Sequence, residues 1–292
     1  MNIKTSRPES GIRLKSKVYD FYSRTHIMGV LNVTPDSFSD GGKFLDFNSA
    51  IRHGISMAEE GADIIDVGGE STRPGSEPVP AEEEIKRVVP VITELAGRIN
   101  IPISVDTYKA EVARKALSAG AEIINDISAL RFGPEMVDVA KEFDSGLILM
   151  HMQGNPKDMQ KAPVYDDVLA EIKDYFVQQT EFAESRGIDR SKIILDPGIG
   201  FGKTTEHNVR ILQNLPFFKS LKFPLLIGVS RKSLIGNILD LPAEQRLEGS
   251  LAAMAFSILN GANIVRVHDV RESVRAARVI DQLKNSHGIP KN

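Results

Sequence analysis

Eight short runs of apolar, largely β-branched residues recur along this chain, and each is followed by a stretch with helical periodicity. The runs "HIMGVLNV", "DIIDVG", "IPISVD", "EIINDI", "GLILMH", "IILDPG", "PLLIGVS" and "IVRVHD" begin near residues 26, 63, 101, 122, 146, 193, 224 and 264. Apolar character that continues without alternation suits strands covered on both faces, the condition of a parallel sheet. Parallel neighbours need crossover connections, and the intervening helical patterns supply them. Eight such units point to an α/β fold of the single-domain (β/α)8 TIM-barrel kind rather than a doubly wound open sheet. A length of 292 residues fits, because such barrels use about 250 residues as one domain.

No linker rich in Pro, Gly or Ser divides the chain. We therefore read an N-terminal extension over residues 1–20, one barrel domain over 21–285 and a tail over 286–292, with disorder expected only at the two ends. The clearest helix lies in "YDDVLAEIKDYFVQQTEFAESRG", where Val168, Ile172, Tyr175, Phe176, Gln179, Phe182 and Ala183 form one stripe. Asp166 and Asp167 favour its N-terminal dipole, and Arg186 then Gly187 suit its end. Comparable helices are expected over Ala81–Arg98 and Ala243–Asn260, and a shorter one in "TYKAEVARKALSAG" stops at Gly120.

Composition narrows the function. With 39 acidic and 36 basic side chains the net charge is −3, which lacks the positive excess of a general nucleic-acid binder. The absence of cysteine excludes disulfides, a thiolate nucleophile and a zinc–thiolate site. The N-terminus "MNIKTSRPESGIRLKSK" has no apolar core behind its basic residues, and no window reaches 18 uninterrupted apolar residues. We expect a cytoplasmic protein that acts on small-molecule substrates, without nucleic-acid or membrane partners.

In such a barrel the C-terminal ends of the strands and the loops after them build the active site. The runs end, in order, in Asn32, Asp66, Asp106, Asn125 with Asp126, His151, Asp196, Arg231 with Lys232, and Arg266 with His268. A single Asp or Asn at such a junction is usually a turn former or an N-cap. A whole ring of polar groups at one rim is poor material for a core and good material for a pocket. Asp126 reads as a local cap and His151 as a satisfied structural histidine.

The loops "NVTPDSFSDGG" and "DVGGESTRPGS", after strands one and two, are longer than a tight βα turn requires and are expected to be mobile and functional. "DPGIGFGKTTEHN" is not a phosphate loop, since Gly198, Gly200 and Gly202 stand too close before Lys203 for G-x-x-x-x-G-K-[ST]. Its glycines let the chain pass close to a ligand while Phe201 presents a face. Arg266 and His268, two apart on one strand, share a face and form an anion corner where barrels often bind phosphate. Arg231 and Lys232 are adjacent and must diverge, so only one is expected to enter the pocket.

The segments "NVTPDSFSDGG", "DIIDVGGESTRPG", "SVDTYKAEVA", "IINDISA", "MHMQGNP", "DPGIGFGK", "GVSRKS" and "RVHDV" together resemble the dihydropteroate synthase family, in the family's order, from about His26 to about Asp269. The resemblance implies a (β/α)8 barrel, usually a homodimer, that joins a pterin diphosphate to p-aminobenzoate with Mg²⁺ as cofactor. It implies a pterin pocket of Asp106, Asn125, Asp196 and Lys232, with Ile127 and Met150 over the ring faces. Arg266 and His268 would hold the diphosphate, and Asn32 would give an oxygen to Mg²⁺. Thr72 and Arg73, with Phe201 and Ser233, would form the p-aminobenzoate site, and Asp66 would lie near the reacting carbon. The catalytic set is then Asn32, Asp66, Arg73, Lys232, Arg266 and His268. Two alternatives share the pterin edge: a barrel methyltransferase that binds methyltetrahydrofolate, and a catalytically silent pterin-binding paralogue. The loop and anion motifs argue against the first, and the intact set of polar residues against the second.

Overall fold

The computed structural model describes residues 11–14, 18–34, 42–71 and 75–284, with only the backbone of 42–46. Residues 35–41 of the first long loop, and Thr72 and Arg73 of the second, lie outside the described residues.

Two short strands, β1 (Ile12–Arg13) and β2 (Val18–Tyr19), pair antiparallel. They precede β3 (His26–Asn32), β4 (Ile64–Gly68), β5 (Ile103–Asp106), β6 (Ile123–Asp126), β7 (Gly146–Met150), β8 (Ile193–Asp196), β9 (Leu226–Gly228) and β10 (Ile264–Val267). These eight pair in parallel in the order β8-β7-β6-β5-β4-β3-β10-β9. The ring closes where Leu195 bridges Leu225 and the Leu195 N–H donates to the Pro224 carbonyl at 3.0 Å. The eight units read from the sequence are thus a closed (β/α)8 barrel.

Each strand is apolar on both faces for a simple reason. Outward residues such as Ile27, Leu31, Ile65, Val67, Val105 and Leu149 enter the large core shared with the helices. Inward residues Met28, Ile64, Ile123, Ile148, Ile194, Leu226 and Ile264 form a second core inside the lower barrel. Ile12, Leu14, Tyr19 and Phe21 complete that inner core, so the hairpin plugs the N-terminal mouth. Lys192 fastens the plug, its Nζ donating to the carbonyls of Arg13 and Asp144. Two residues further along, on the same inward face, stand Val30 on β3 and Asp66, Asn125, Met150, Asp196, Gly228 and Arg266 on the other six of these strands. The barrel is therefore dry below and polar above.

The helices are α1 (Gly42–Glu59), α2 (Ala81–Ala96), α3 (Ala110–Ser118), α4 (Met136–Glu142), α5 (Val168–Ser185), α6 (Thr205–Gln213), α7 (Leu215–Phe218), α8 (Ser233–Leu239), α9 (Leu247–Leu259) and α10 (Val270–Lys284). Asp167 caps α5 by accepting from the N–H groups of Leu169 and Ala170 at 3.0 and 3.4 Å. The helix expected over Ala243–Asn260 is interrupted: a 3₁₀ turn, Ala243–Gln245, precedes α9, and Arg246 between them leaves helical geometry. Its guanidinium instead donates to the carbonyls of Leu241, Arg231 and Lys232, at 2.8, 3.0 and 3.3 Å. No described helix is long and apolar enough to cross a membrane.

Candidate active site

The polar upper layer of the barrel is organised around one cation. Arg266, on β10, donates from Nε to Asp66 Oδ2 at 2.7 Å and from Nη2 to Asp106 Oδ2 at 2.8 Å. Asn125 Nδ2 donates to the same Asp66 oxygen at 3.0 Å. The register that sets Asp106 beside Asn125 and beside Gly68 brings these side chains together. The other carboxylate oxygens, Asp66 Oδ1 and Asp106 Oδ1, are buried with no protein partner among the described residues. Burial pushes the Asp106 carboxyl up to about 7, against the opposing charge of Arg266. A buried acceptor without a donor is costly, so these oxygens mark where a ligand's N–H groups would be satisfied.

Arg266 was expected to hold the diphosphate, for which its planar guanidinium fork is suited. One edge of that fork, Nε and Nη2, is taken by the two carboxylates. A phosphate at the rim would meet the opposite edge, formed by Nη1 and the second proton of Nη2.

Asp196 closes the pocket on the β8 side. Its Oδ1 accepts from the Gly198 N–H at 2.8 Å, and burial raises its pKa while the Lys232 ammonium opposes. Lys232 does enter the pocket and Arg231 does not. Arg231 adopts φ +57° and pairs with Asp269 from Nε at 3.0 Å, while its backbone N–H donates to Ser250 Oγ at 2.9 Å. The Lys232 ammonium donates to the Ile199 carbonyl and lies 4.7 Å from the centre of the Phe201 ring. Burial lowers its pKa to about 8, with Asp196 opposing. Ser233 follows as the exposed first residue of α8.

The β10 end also carries His268, whose Nδ1 lies 3.0 Å from Ser230 Oγ. Its backbone N–H donates to the same hydroxyl at 3.2 Å. Asn32 ends β3 half-buried, its side-chain oxygen beside Gly68. Ile127 and Met150 are buried with Met152 and Met159, and Phe201 packs against them as an apolar wall.

Two strand-end residues stay structural. Asp126 accepts from the Ser128 N–H and Oγ at 2.8 Å each and from the Leu130 N–H at 2.7 Å. His151 is buried, edge-on to Tyr175 with ring centres 4.9 Å apart.

Residues 28–268 match the family model described as "Pterin binding enzyme". The dihydropteroate synthase of Escherichia coli (strain K12) is 51% identical over 259 residues, covering 89% of this chain and 92% of that protein. The chain belongs to the dihydropteroate synthase family. Its fold follows that of the Yersinia pestis dihydropteroate synthase solved with a sulfonamide drug, with a TM-score of 0.89 at 44% identity over 94% of this chain and 98% of that one. The Xanthomonas albilineans dihydropteroate synthase solved with 4-aminobenzoic acid gives a TM-score of 0.88 at 44% identity, covering 96% of this chain and 100% of that one.

As a member of the dihydropteroate synthase family, the chain uses several polar groups that the sequence did not single out. Ser230 orients His268, and the period-two spacing Gly228, Ser230 on the inner face was the signal available for it. Arg246 and Ser250 hold the left-handed turn that turns Arg231 away and Lys232 inward, and nothing local to either residue announces this. Glu70, at the start of the second long loop, accepts from the Val79 N–H at 2.8 Å and from Tyr108 Oη at 2.7 Å. It also pairs with Lys109, which bridges to the buried Glu84. These bonds close the neck of that loop.

Proposed function

We propose that the chain is a dihydropteroate synthase: it condenses 6-hydroxymethyl-7,8-dihydropterin diphosphate with p-aminobenzoate, giving 7,8-dihydropteroate and diphosphate. The observation that carries this reading is the socket at the top of the barrel. Asp66 Oδ1 and Asp106 Oδ1 are buried and unpartnered among the described residues, beside Asn125 and below the wall of Ile127 and Met150. A pterin edge presents ring N–H groups and an exocyclic amine, the donors such acceptors lack. Asp196 accepts from the amidine-like edge in parallel bonds, and Lys232 donates to the pterin carbonyl.

The reaction is displacement at the pterin methylene carbon, with the diphosphate leaving and the arylamine nitrogen attacking. An electron-rich dihydropterin shares the positive charge that develops on carbon, which favours a dissociative path. Asp66 stabilises that cation, and its carboxylate is held in place by Arg266 and Asn125. Arg266 and His268 receive the departing diphosphate, and Ser230 fixes the orientation of the imidazole. Phe201 and Ser233 border the arylamine; the family resemblance assigns Thr72 and Arg73 to the same site.

The reading includes Mg²⁺. Among the described residues no group of three or more His, Asp or Glu gathers for a metal. Asn32 at the rim fits a hard cation held mainly by substrate phosphate and water, for which few protein ligands suffice. Asn32 would hold the ion, which would offset negative charge on the leaving group.

The reading also includes a cytoplasmic location and a homodimer. Exposed apolar side chains on α8, α9 and α10, among them Ile238, Phe256, Leu259, Val279 and Leu283, support the dimer. A groove of about 320 Å³ lined by Leu212, Ile235 and Phe256 continues that face. Sedimentation at micromolar concentration tests it, and a monomer there overturns it.

Sulfonamides, as mimics of p-aminobenzoate, compete for its site in this account. Inhibition kinetics at several p-aminobenzoate concentrations test the assignment, and inhibition indifferent to p-aminobenzoate would mean that the site lies elsewhere.

A further inference from the structure

The glycine-rich segment after β8 carries a lysine where a phosphate ligand would be sought, yet the Lys203 ammonium faces inward. The residue is 3% exposed. Its Nζ donates to the Phe201 carbonyl at 2.9 Å and the His151 carbonyl at 3.2 Å, and lies 3.0 Å from His151 Nδ1. Three acceptors match the three protons of an ammonium, while burial lowers the Lys203 pKa well below the ordinary lysine value and Asp196 opposes that shift. Acceptance at Nδ1 requires a neutral imidazole with its proton on Nε2, and burial holds His151 well below the usual histidine range.

A buried ammonium is an expensive way to fill space, since a packed apolar side chain is often as stabilising or more so. Its geometry explains its presence. A Cβ at Gly198 would lie 2.0 Å from the His151 carbonyl oxygen, and one at Gly202 would lie 2.4 Å from the Gln153 carbonyl oxygen. Both glycines have positive φ, so the loop after β8 lies backbone against backbone on the segment after β7. Lys203 ties these two segments by bridging their carbonyls. The loop it fastens supplies both the Ile199 carbonyl and the Phe201 ring that meet the Lys232 ammonium.

We propose that Lys203 is a positioning residue that fixes the Phe201 ring, and so sets the shape of the p-aminobenzoate subsite, without itself touching substrate or phosphate. The inference rests on the functional reading above. A residue of purely structural value would lower stability when replaced and leave the two substrates' affinities alone.

The test uses the full-length protein and two variants. In Lys203→Met, the KM for p-aminobenzoate rises about tenfold or more while kcat and the calorimetric Kd for the pterin diphosphate stay within about threefold of wild type. His151→Leu removes the ring acceptor but leaves both carbonyls; it shifts the same KM in the same direction by less, and serves if Lys203→Met does not fold. A wild-type KM in the folded variants overturns the inference, as does an equal loss of pterin and p-aminobenzoate affinity. Failure of the wild-type protein to form dihydropteroate overturns the functional reading instead, so the two failures are distinguishable.

Discussion

Asp66 and Asp106, on neighbouring strands, share the guanidinium of Arg266 at 2.7 and 2.8 Å. A lysine has no planar fork and cannot hold two carboxylates in this fixed relation while also meeting a phosphate. Arg266→Lys is expected to lower kcat/KM by about 100-fold or more, the scale of losing a preorganised charge contact. Steady-state kinetics check this, and near-wild-type turnover would count against the diphosphate and cation roles together.

Lys232 gives the account a pH signature. Its folded pKa is lowered to about 8, so its ammonium is present below that pH and is lost as the pH rises through it. Pterin affinity should fall above about pH 8 if the ammonium donates to the pterin carbonyl. Calorimetric titrations across this range, on wild type and Lys232→Arg, check it. The arginine variant keeps its charge and should lack the alkaline fall; the same fall in both proteins would assign the titration to another group.

Asp196→Ala removes the carboxylate that accepts the amidine-like edge. The pterin Kd should weaken by about 100-fold or more, the scale of losing charge-assisted paired bonds, while the circular dichroism spectrum stays that of a folded barrel. Unchanged affinity would sink the assignment.

At the opposite end of the barrel, Leu14 is 3% exposed within the plug. Leu14→Ala should cost about 2–5 kcal/mol of stability by leaving a cavity. The kcat should be unchanged, because the plug sits beneath the inner core and away from the upper polar layer. Denaturant unfolding with parallel kinetics checks both, and a loss of kcat in the folded variant would contradict this separation.

Much of this architecture was legible because strand and helix periodicities are local. The runs ending in Asp66, Asp106, Asn125 and Asp196 mark the barrel's C-terminal rim by their spacing alone. Adjacent Arg231 and Lys232 were expected to diverge, since neighbouring side chains point to opposite faces, and they do. The choice between them was not legible. It depends on a left-handed turn held by Arg246 and Ser250, 15 and 19 residues downstream of Arg231. The shared guanidinium of Arg266 was hidden for the same reason: its partners are 200 and 160 residues away, and only the closed barrel brings them together. The plug was hidden too, because a basic, polar N-terminus gives no sign that Ile12, Leu14 and Phe21 complete an inner core.

The most direct test is to incubate the purified protein with 6-hydroxymethyl-7,8-dihydropterin diphosphate and Mg²⁺, with and without p-aminobenzoate, measuring diphosphate and dihydropteroate together. The account predicts equal amounts of both products when p-aminobenzoate is present, and their loss in EDTA. Tight pterin binding with no dihydropteroate formed would contradict it.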